Sequence, residues 1–199
     1  MNKRYVSRTF LVMAAVMAAG PTLSDSLDLN LNSDVARLTF ARPIYDNKLE
    51  IDAGWLHHQD RGNLLSVSLG RFGEAGGGQQ SVTAAIGGRL YGIDPDFGPA
   101  TGMGGPNRNQ DGFALGVGGL FRLKLAGYDR IGFSGHGYYA PDVLAFGDSE
   151  DLIEVAGRVT YSVIRDADVY LGIRYINAGF EGLDAKFDTG LHIGIRLEF

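Results

Sequence analysis

The sequence predicts an all-β fold, a transmembrane antiparallel up-and-down β-barrel of ten strands, with eight as the alternative. Three observations predict it. Apolar residues alternate with small, polar or charged ones along nearly the whole chain after residue 25. Stretches rich in Gly, Asp, Asn and Pro separate most of the alternating runs. The two faces of those runs also differ in kind: one carries no charge anywhere, and the other mixes arginines and acids with small residues.

The N-terminal part comes first and stands apart. MNKRYVSR carries Lys3, Arg4 and Arg8, and the apolar run TFLVMAAVMAAG follows. Charge and then a short apolar stretch predict a secretory signal peptide over residues 1–24, cleaved between 20 and 26. The run is too short to span a bilayer as a helix, and no later segment is long enough either. The barrel is expected over 25–199. The formal net charge is −5, so no basic surface points to nucleic acid. With no cysteine, disulfides and thiolate chemistry are excluded. The 30 glycines are about twice the usual share and follow no collagen period.

Ten strands are expected, at about 26–32, 35–42, 49–57, 64–72, 81–92, 113–123, 128–139, 152–164, 168–177 and 189–199. Eight would follow if the first two were not separate barrel strands. The apolar face begins with Leu27, Leu29 and Leu31 and continues through sets such as Ile51, Ala53 and Trp55, or Val155, Val159 and Tyr161. A charge facing lipid at mid-membrane costs about 2–4 kcal/mol, which accounts for so strict a face. Trp55, Tyr139, Tyr161, Tyr175 and Phe199 lie toward strand ends on it, as interfacial aromatic girdles do. With the C-terminal residue on the periplasmic side, the connections 178–188, 140–151, 93–112, 58–63 and 33–34 fall outside. Those at 165–167, 124–127, 73–80 and 43–48 fall in the periplasm. The longest three are then outside, as in outer-membrane barrels.

The other face points into the barrel. Its charged members are expected to form a lumen network of Arg37, Glu50, Asp52, Arg89, Arg130, Glu154, Arg158, Arg174, Arg196 and Glu198, joined by Asp28 and Arg122. Ten strands enclose little more than side chains can fill, so paired charges closing the lumen are the favoured reading. A narrow anion-preferring channel is the alternative. The ending GLHIGIRLEF places Leu191, Ile193, Ile195, Leu197 and Phe199 on the apolar face. It looks like the C-terminal signature of bacterial outer-membrane barrels, and in those proteins it resembles the signal read by the barrel-assembly machinery.

Four stretches carry a closer resemblance: GRLYGIDPDFG (88–98), GYYAPDVLAFGDSEDLIE (137–154), YSVIRDADVYLGIRYINAGFEG (161–182) and the ending LHIGIRLEF. They resemble the YfaZ family of outer-membrane proteins over about 26–199. The resemblance implies a small barrel in a Gram-negative outer membrane, in contact with lipid and lipopolysaccharide. It implies no activity, cofactor or catalytic residue.

Other candidates are weaker. Ser134 and His136 share a lumen face, and lipid A deacylases use such a pair, but a packed hydrogen-bond network is the plainer reading. His57, His58 and Asp60 could ligate a metal, yet their spacing matches no standard site. Acids such as Asp94, Asp96, Asp142, Asp148 and Asp188 are read as a generic acidic outer surface, and the glycines of GMGGP (102–106) as an outer loop.

Overall fold

The structure, a computed structural model, describes residues 25–45, 48–75, 81–96, 111–124, 127, 130–180 and 183–199. The expected signal peptide and the GMGGP run lie outside these residues.

The alternating runs become ten long strands, each antiparallel to the next. They are β1 (Ser26–Leu31), β2 (Val35–Ile44), β3 (Leu49–His58), β4 (Gly62–Ala75), β5 (Ser81–Pro95), β6 (Gly112–Lys124) and β7 (Ile131–Ala140). A 3-10 turn at Asp142–Leu144 and the three-residue β8 (Ala145–Gly147) come next, and β8 pairs with the start of β6. Then come β9 (Ser149–Ile164), β10 (Ala167–Phe180) and β11 (Leu183–Glu198). β5 pairs with β6, β7 with β9, and β11 returns to β1, so the sheet closes on itself. β1 and β2 are separate paired strands, which removes the eight-strand alternative.

Closure rests on the shortest strand. β1 offers six residues, pairing Ser26 with Glu198 through Leu31 with Ile193. Both termini of the described chain therefore lie at one end of the barrel, called here the terminal end. The opposite, loop end carries the long connections 96–111 and 141–148. The connections at the terminal end include the two-residue 165–166.

One expected outer connection is not a loop. Residues 178–188 are nearly all strand, because β10 runs to Phe180 and β11 begins at Leu183. Their glycines and acids read as turn signals, but the backbone stays paired from Ala178–Ala185 to Phe180–Leu183. The ladder shifts beside Ile176 and Asn177, where Asn177 faces Lys186 and Ile176 faces Asp188. Phe187 is the extra residue of this β-bulge. Both Phe187 and Asp188 are buried, so two successive side chains leave the outer surface.

The outer face is apolar and exposed, with Leu29, Leu69, Ile86, Leu171, Leu191 and Ile193 all uncovered. An apolar surface of this extent suits hydrocarbon and not water. The lumen differs from the expected uniformly polar interior. Toward the loop end it holds a packed apolar cap that includes Leu56, Leu64, Tyr91, Ile93, Leu152, Ile176, Phe180 and Phe187. Near the loop end both phases of several strands turn apolar, as in Leu64–Leu65, Leu152–Ile153 and Tyr175–Ile176. One of each pair faces lipid and the other closes the lumen.

Two substitutions separate these surfaces. Phe187→Ala opens a void in the cap and is expected to cost about 3–5 kcal/mol. Ile193→Arg puts a charge on the lipid face and is expected to cost about 2–4 kcal/mol at the bilayer midplane. Equilibrium denaturation of the barrel refolded into lipid vesicles measures both.

Candidate functional site: the lumen charge network

Below the apolar cap the lumen face turns polar, and its centre is the carboxylate of Glu154 on β9. Its side chain is 0% exposed. Arg37 of β2 donates to it at 2.7 Å and Arg89 of β5 at 2.9 Å. The Tyr91 hydroxyl donates at 2.6 Å, and the His136 ring on β7 lies 3.0 Å away through Nε2. Side chains of four strands, β2, β5, β7 and β9, thus meet at one carboxylate. Removing a carboxylate from water is costly unless several donors replace the hydration, and here they do.

The arginines extend the network. Arg89 also reaches Asp52 at 3.1 Å, and Asp52 accepts a bond from the Ser68 hydroxyl. The Arg89 guanidinium lies 4.3 Å over the Tyr138 ring. Toward the terminal end, Asp28 accepts from Arg158 at 2.6 Å and from the Tyr170 hydroxyl. Arg158 also donates to Ser134 at 2.9 Å and lies over the Tyr170 ring. Arg174 donates to Asp188 at 2.6 Å and to Asn30 at 2.9 Å, while Asn32 donates to Asp188 from above. Nearest the terminal end, Arg122 grips Glu50 with both terminal nitrogens, at 2.7 and 3.2 Å. Arg196 donates to Ser26 at 3.1 Å and lies 3.4 Å from the exposed carboxylate of Glu198.

Glycine makes room for this packing. A Cβ on Gly194 would meet the Tyr170 ring at 2.3 Å, and one on Gly172 would meet the His192 ring at 2.6 Å. The two rings lie edge to face, at centroids 5.9 Å apart. Bulk at Gly194 would push the Tyr170 hydroxyl off Asp28.

The chain is thus a closed ten-strand barrel, apolar outside and charged within. The family model described as YfaZ precursor matches residues 3–199. The chain belongs to the YfaZ family.

No curated protein sequence matches this family member. Among solved structures it is similar to the outer membrane protease OmpT from Escherichia coli, at 10% identity and a TM-score of 0.48, over 89% of this chain and 94% of that one. It is similar to the transport unit of the autotransporter AIDA-I from Escherichia coli at 9% identity and a TM-score of 0.49, over 100% and 98%. It is similar to the KdgM porin at 9% identity and a TM-score of 0.42, over 88% and 99%. At such scores these likenesses carry no argument about activity.

Several residues lie elsewhere than the sequence placed them. Arg130 sits exposed in the turn before β7, because that strand starts at Ile131 and not at 128. Glu198 stands at the open rim of the terminal end. Asp188, read as an outer-loop acid, is buried against Arg174. The bulge at Phe187 hid its phase from a period-two reading. Asn30, Tyr91 and Tyr170 were also missed, although each falls on the lumen phase of its strand.

Ser134 and His136 take different partners, Arg158 and Glu154. At the loop end, His57 Nδ1 and the Trp55 indole both contact the Asn63 side-chain oxygen, at 3.0 and 3.2 Å. His58 Nδ1 accepts the Asp60 amide. Among the described residues, no three His, Asp or Glu side chains converge as a metal site. Beyond the membrane-facing belt, partial burial raises the Asp94 carboxyl above its ordinary range, and the negative charges of Asp111 and Asp96 add to this. The set Leu191, Ile193, Ile195, Leu197 and Phe199 is exposed on the outer face.

Breaking the central node should be far costlier than trimming it. Glu154→Gln leaves two buried guanidiniums without their shared charge and is expected to cost about 3–5 kcal/mol. Tyr91→Phe removes one donor to that carboxylate and is expected to cost about 1.5–3 kcal/mol. Denaturant midpoints of the two variants check the ranking.

Proposed function

We propose that this YfaZ family member is an integral protein of the bacterial outer membrane whose barrel is closed to solutes and acts as a structural or interaction element. One observation carries the reading: the lumen is filled at two successive levels. Apolar side chains pack across its loop end, and below them the Glu154 node ties β2, β5, β7 and β9 together. A solute would have to displace both layers. Ten-strand barrels of this size leave room for side chains and little else.

The outer apolar belt suits lipid, and the aromatic side chains of Tyr139, Tyr161, Tyr175 and Phe199 are exposed on it. Short connections at the terminal end and long ones at the loop end support a periplasmic terminal end and an extracellular loop end. The loops would then be the part offered to lipopolysaccharide or to partners. The apolar face of β11, with Phe199 just beyond it, fits recognition by the barrel-assembly machinery.

Single-channel recording tests the closed lumen. The refolded protein, checked for folding by its unboiled gel mobility, should be silent in a planar bilayer. Discrete conductance steps from the folded wild-type barrel would sink the reading.

A further inference from the structure

The wall beside β6 carries an insertion. Val117 of β6 faces Tyr139 of β7, and Ala114 faces Ala145 of β8. The step is three residues along β6 and six on the other side, so three extra residues are let out between β7 and β8. β8 then takes the place of β7 in the wall, with Phe146 opposite Phe113. The inserted stretch is the 3-10 turn Asp142–Leu144, closed by the Leu144 amide donating to the Pro141 carbonyl at 2.8 Å. The turn packs against β6, β8 and β9.

Side-chain phase shows which way it stands. Ala114 and Ala140 are wholly buried and belong to the cap. The residues that alternate with them point outward: Phe113 is 58% exposed, Val117 55%, Tyr139 49% and Phe146 57%. Val143, in the middle of the turn, is 78% exposed. The cap fills the lumen at this level, so a side chain as open as Val143 lies outside the wall. These residues continue the outer belt of β6 through Leu115 and Phe121, both exposed.

The depth of the turn follows from β6. The apolar face of that strand runs from Phe113 to Leu123, ten steps along the chain. At about 3.3 Å per step and a tilt of about 40°, it rises about 25 Å, the full height of an outer-membrane apolar band. Phe113 and Phe146 therefore stand at the upper edge of the hydrocarbon. The turn is let out below them, between their level and that of Val117 and Tyr139. Beyond the edge the wall turns acidic. Asp111 precedes Gly112, Asp148 follows Gly147, and the Asp111 amide donates to the Asp148 carboxylate at 3.3 Å. Asp142, in the turn itself, is an acid of the kind tolerated near headgroups and not at mid-membrane.

We propose that the segment from Pro141 to Gly147 is a lipid-inserted wedge, with Val143 and Phe146 seated among the acyl chains of the outer leaflet just beneath the headgroups. Hydrocarbon is the occupant because the patch continues, without a break, the belt that already faces it. The choice of leaflet rests on the reading above that the loop end is extracellular. An apolar tip under a rim of acids resists both sinking and rising of this side of the wall.

The chain has no cysteine, so a single introduced cysteine reports one site. A nitroxide is attached at Val143→Cys in the full chain, refolded into vesicles of phosphatidylcholine and phosphatidylglycerol and checked by unboiled gel mobility. It is compared with labels at Ile193→Cys on the belt and at Arg165→Cys in the exposed turn of the terminal end. The Val143→Cys label should collide readily with oxygen and be shielded from a water-soluble nickel chelate, as at Ile193→Cys, while Arg165→Cys stays open to nickel. Nickel access at Val143→Cys equal to that at Arg165→Cys overturns the inference. So does spin–spin broadening between copies, which would put a second chain on the patch. The leaflet is read on intact cells with a polymer-linked maleimide that does not cross the outer membrane: Asp148→Cys should react and Val143→Cys should not. An Asp148→Cys that reacts only in broken cells removes the extracellular loop end and the outer leaflet together, and leaves the hydrocarbon contact to stand or fall by the nitroxide.

Discussion

Everything inside this barrel depends on keeping one carboxylate charged where no water reaches it. Glu154 accepts from Arg37 of β2 and from Arg89 and Tyr91 of β5, and contacts His136 of β7. The lipid outside cannot stabilise an ion, so the donors must come from within. That demand fixes the side chains around it. Arg89 is turned so that one nitrogen meets Glu154 and another meets Asp52, with Tyr138 beneath its plane. The apolar cap then sits directly over the node, with Tyr91 belonging to both: its ring packs in the cap and its hydroxyl bonds the carboxylate.

The network is also a girdle across the line where the sheet closes. β1 is the shortest barrel strand, and its backbone ladder with β11 has only six residues. Its lumen side chains add to that hold. Asp28 is bonded by Arg158 of β9 and Tyr170 of β10, Asn30 by Arg174 of β10, and Asn32, just past the end of β1, reaches Asp188 of β11. Polar groups that would be a cost in a plain apolar core here link the first strand to the last three. Nearest the terminal end the acids come from other strands, Glu50 of β3 for Arg122 and Glu198 of β11 for Arg196.

Most of the architecture was legible because it rests on a period of two. Alternation located all ten long strands, and the chargeless face identified the side toward lipid. What was not legible came from places where that period fails or is ambiguous. Phe187 adds one residue to β11, so Asp188 moved from an apparent loop to the buried partner of Arg174. The cap was hidden for another reason. In Leu64–Leu65 or Leu152–Ile153 both phases are apolar, and a search for one apolar face finds it without asking what the second residue does. Doubled apolar residues near the loop end of several strands are the signal that could have revealed it. Arg130 shows the opposite error, a residue of the right type one position outside its strand.

The meeting of β1 with β11 has a consequence in time as well as in structure. Ser26 pairs with Glu198, so the contact that closes the ring joins residues from opposite ends of the described chain. Such contacts are the slowest to form, because nearly the whole chain must be ordered before they repay its entropy. Until the last strand arrives, β1 presents an unpaired edge, and the acid and amides on its inner face lack their partners from β9 to β11. A chain in that state is open along its length, polar where it should be sealed, and prone to pair with a neighbour. Its safe passage depends on something that holds the first strand until the last one is delivered.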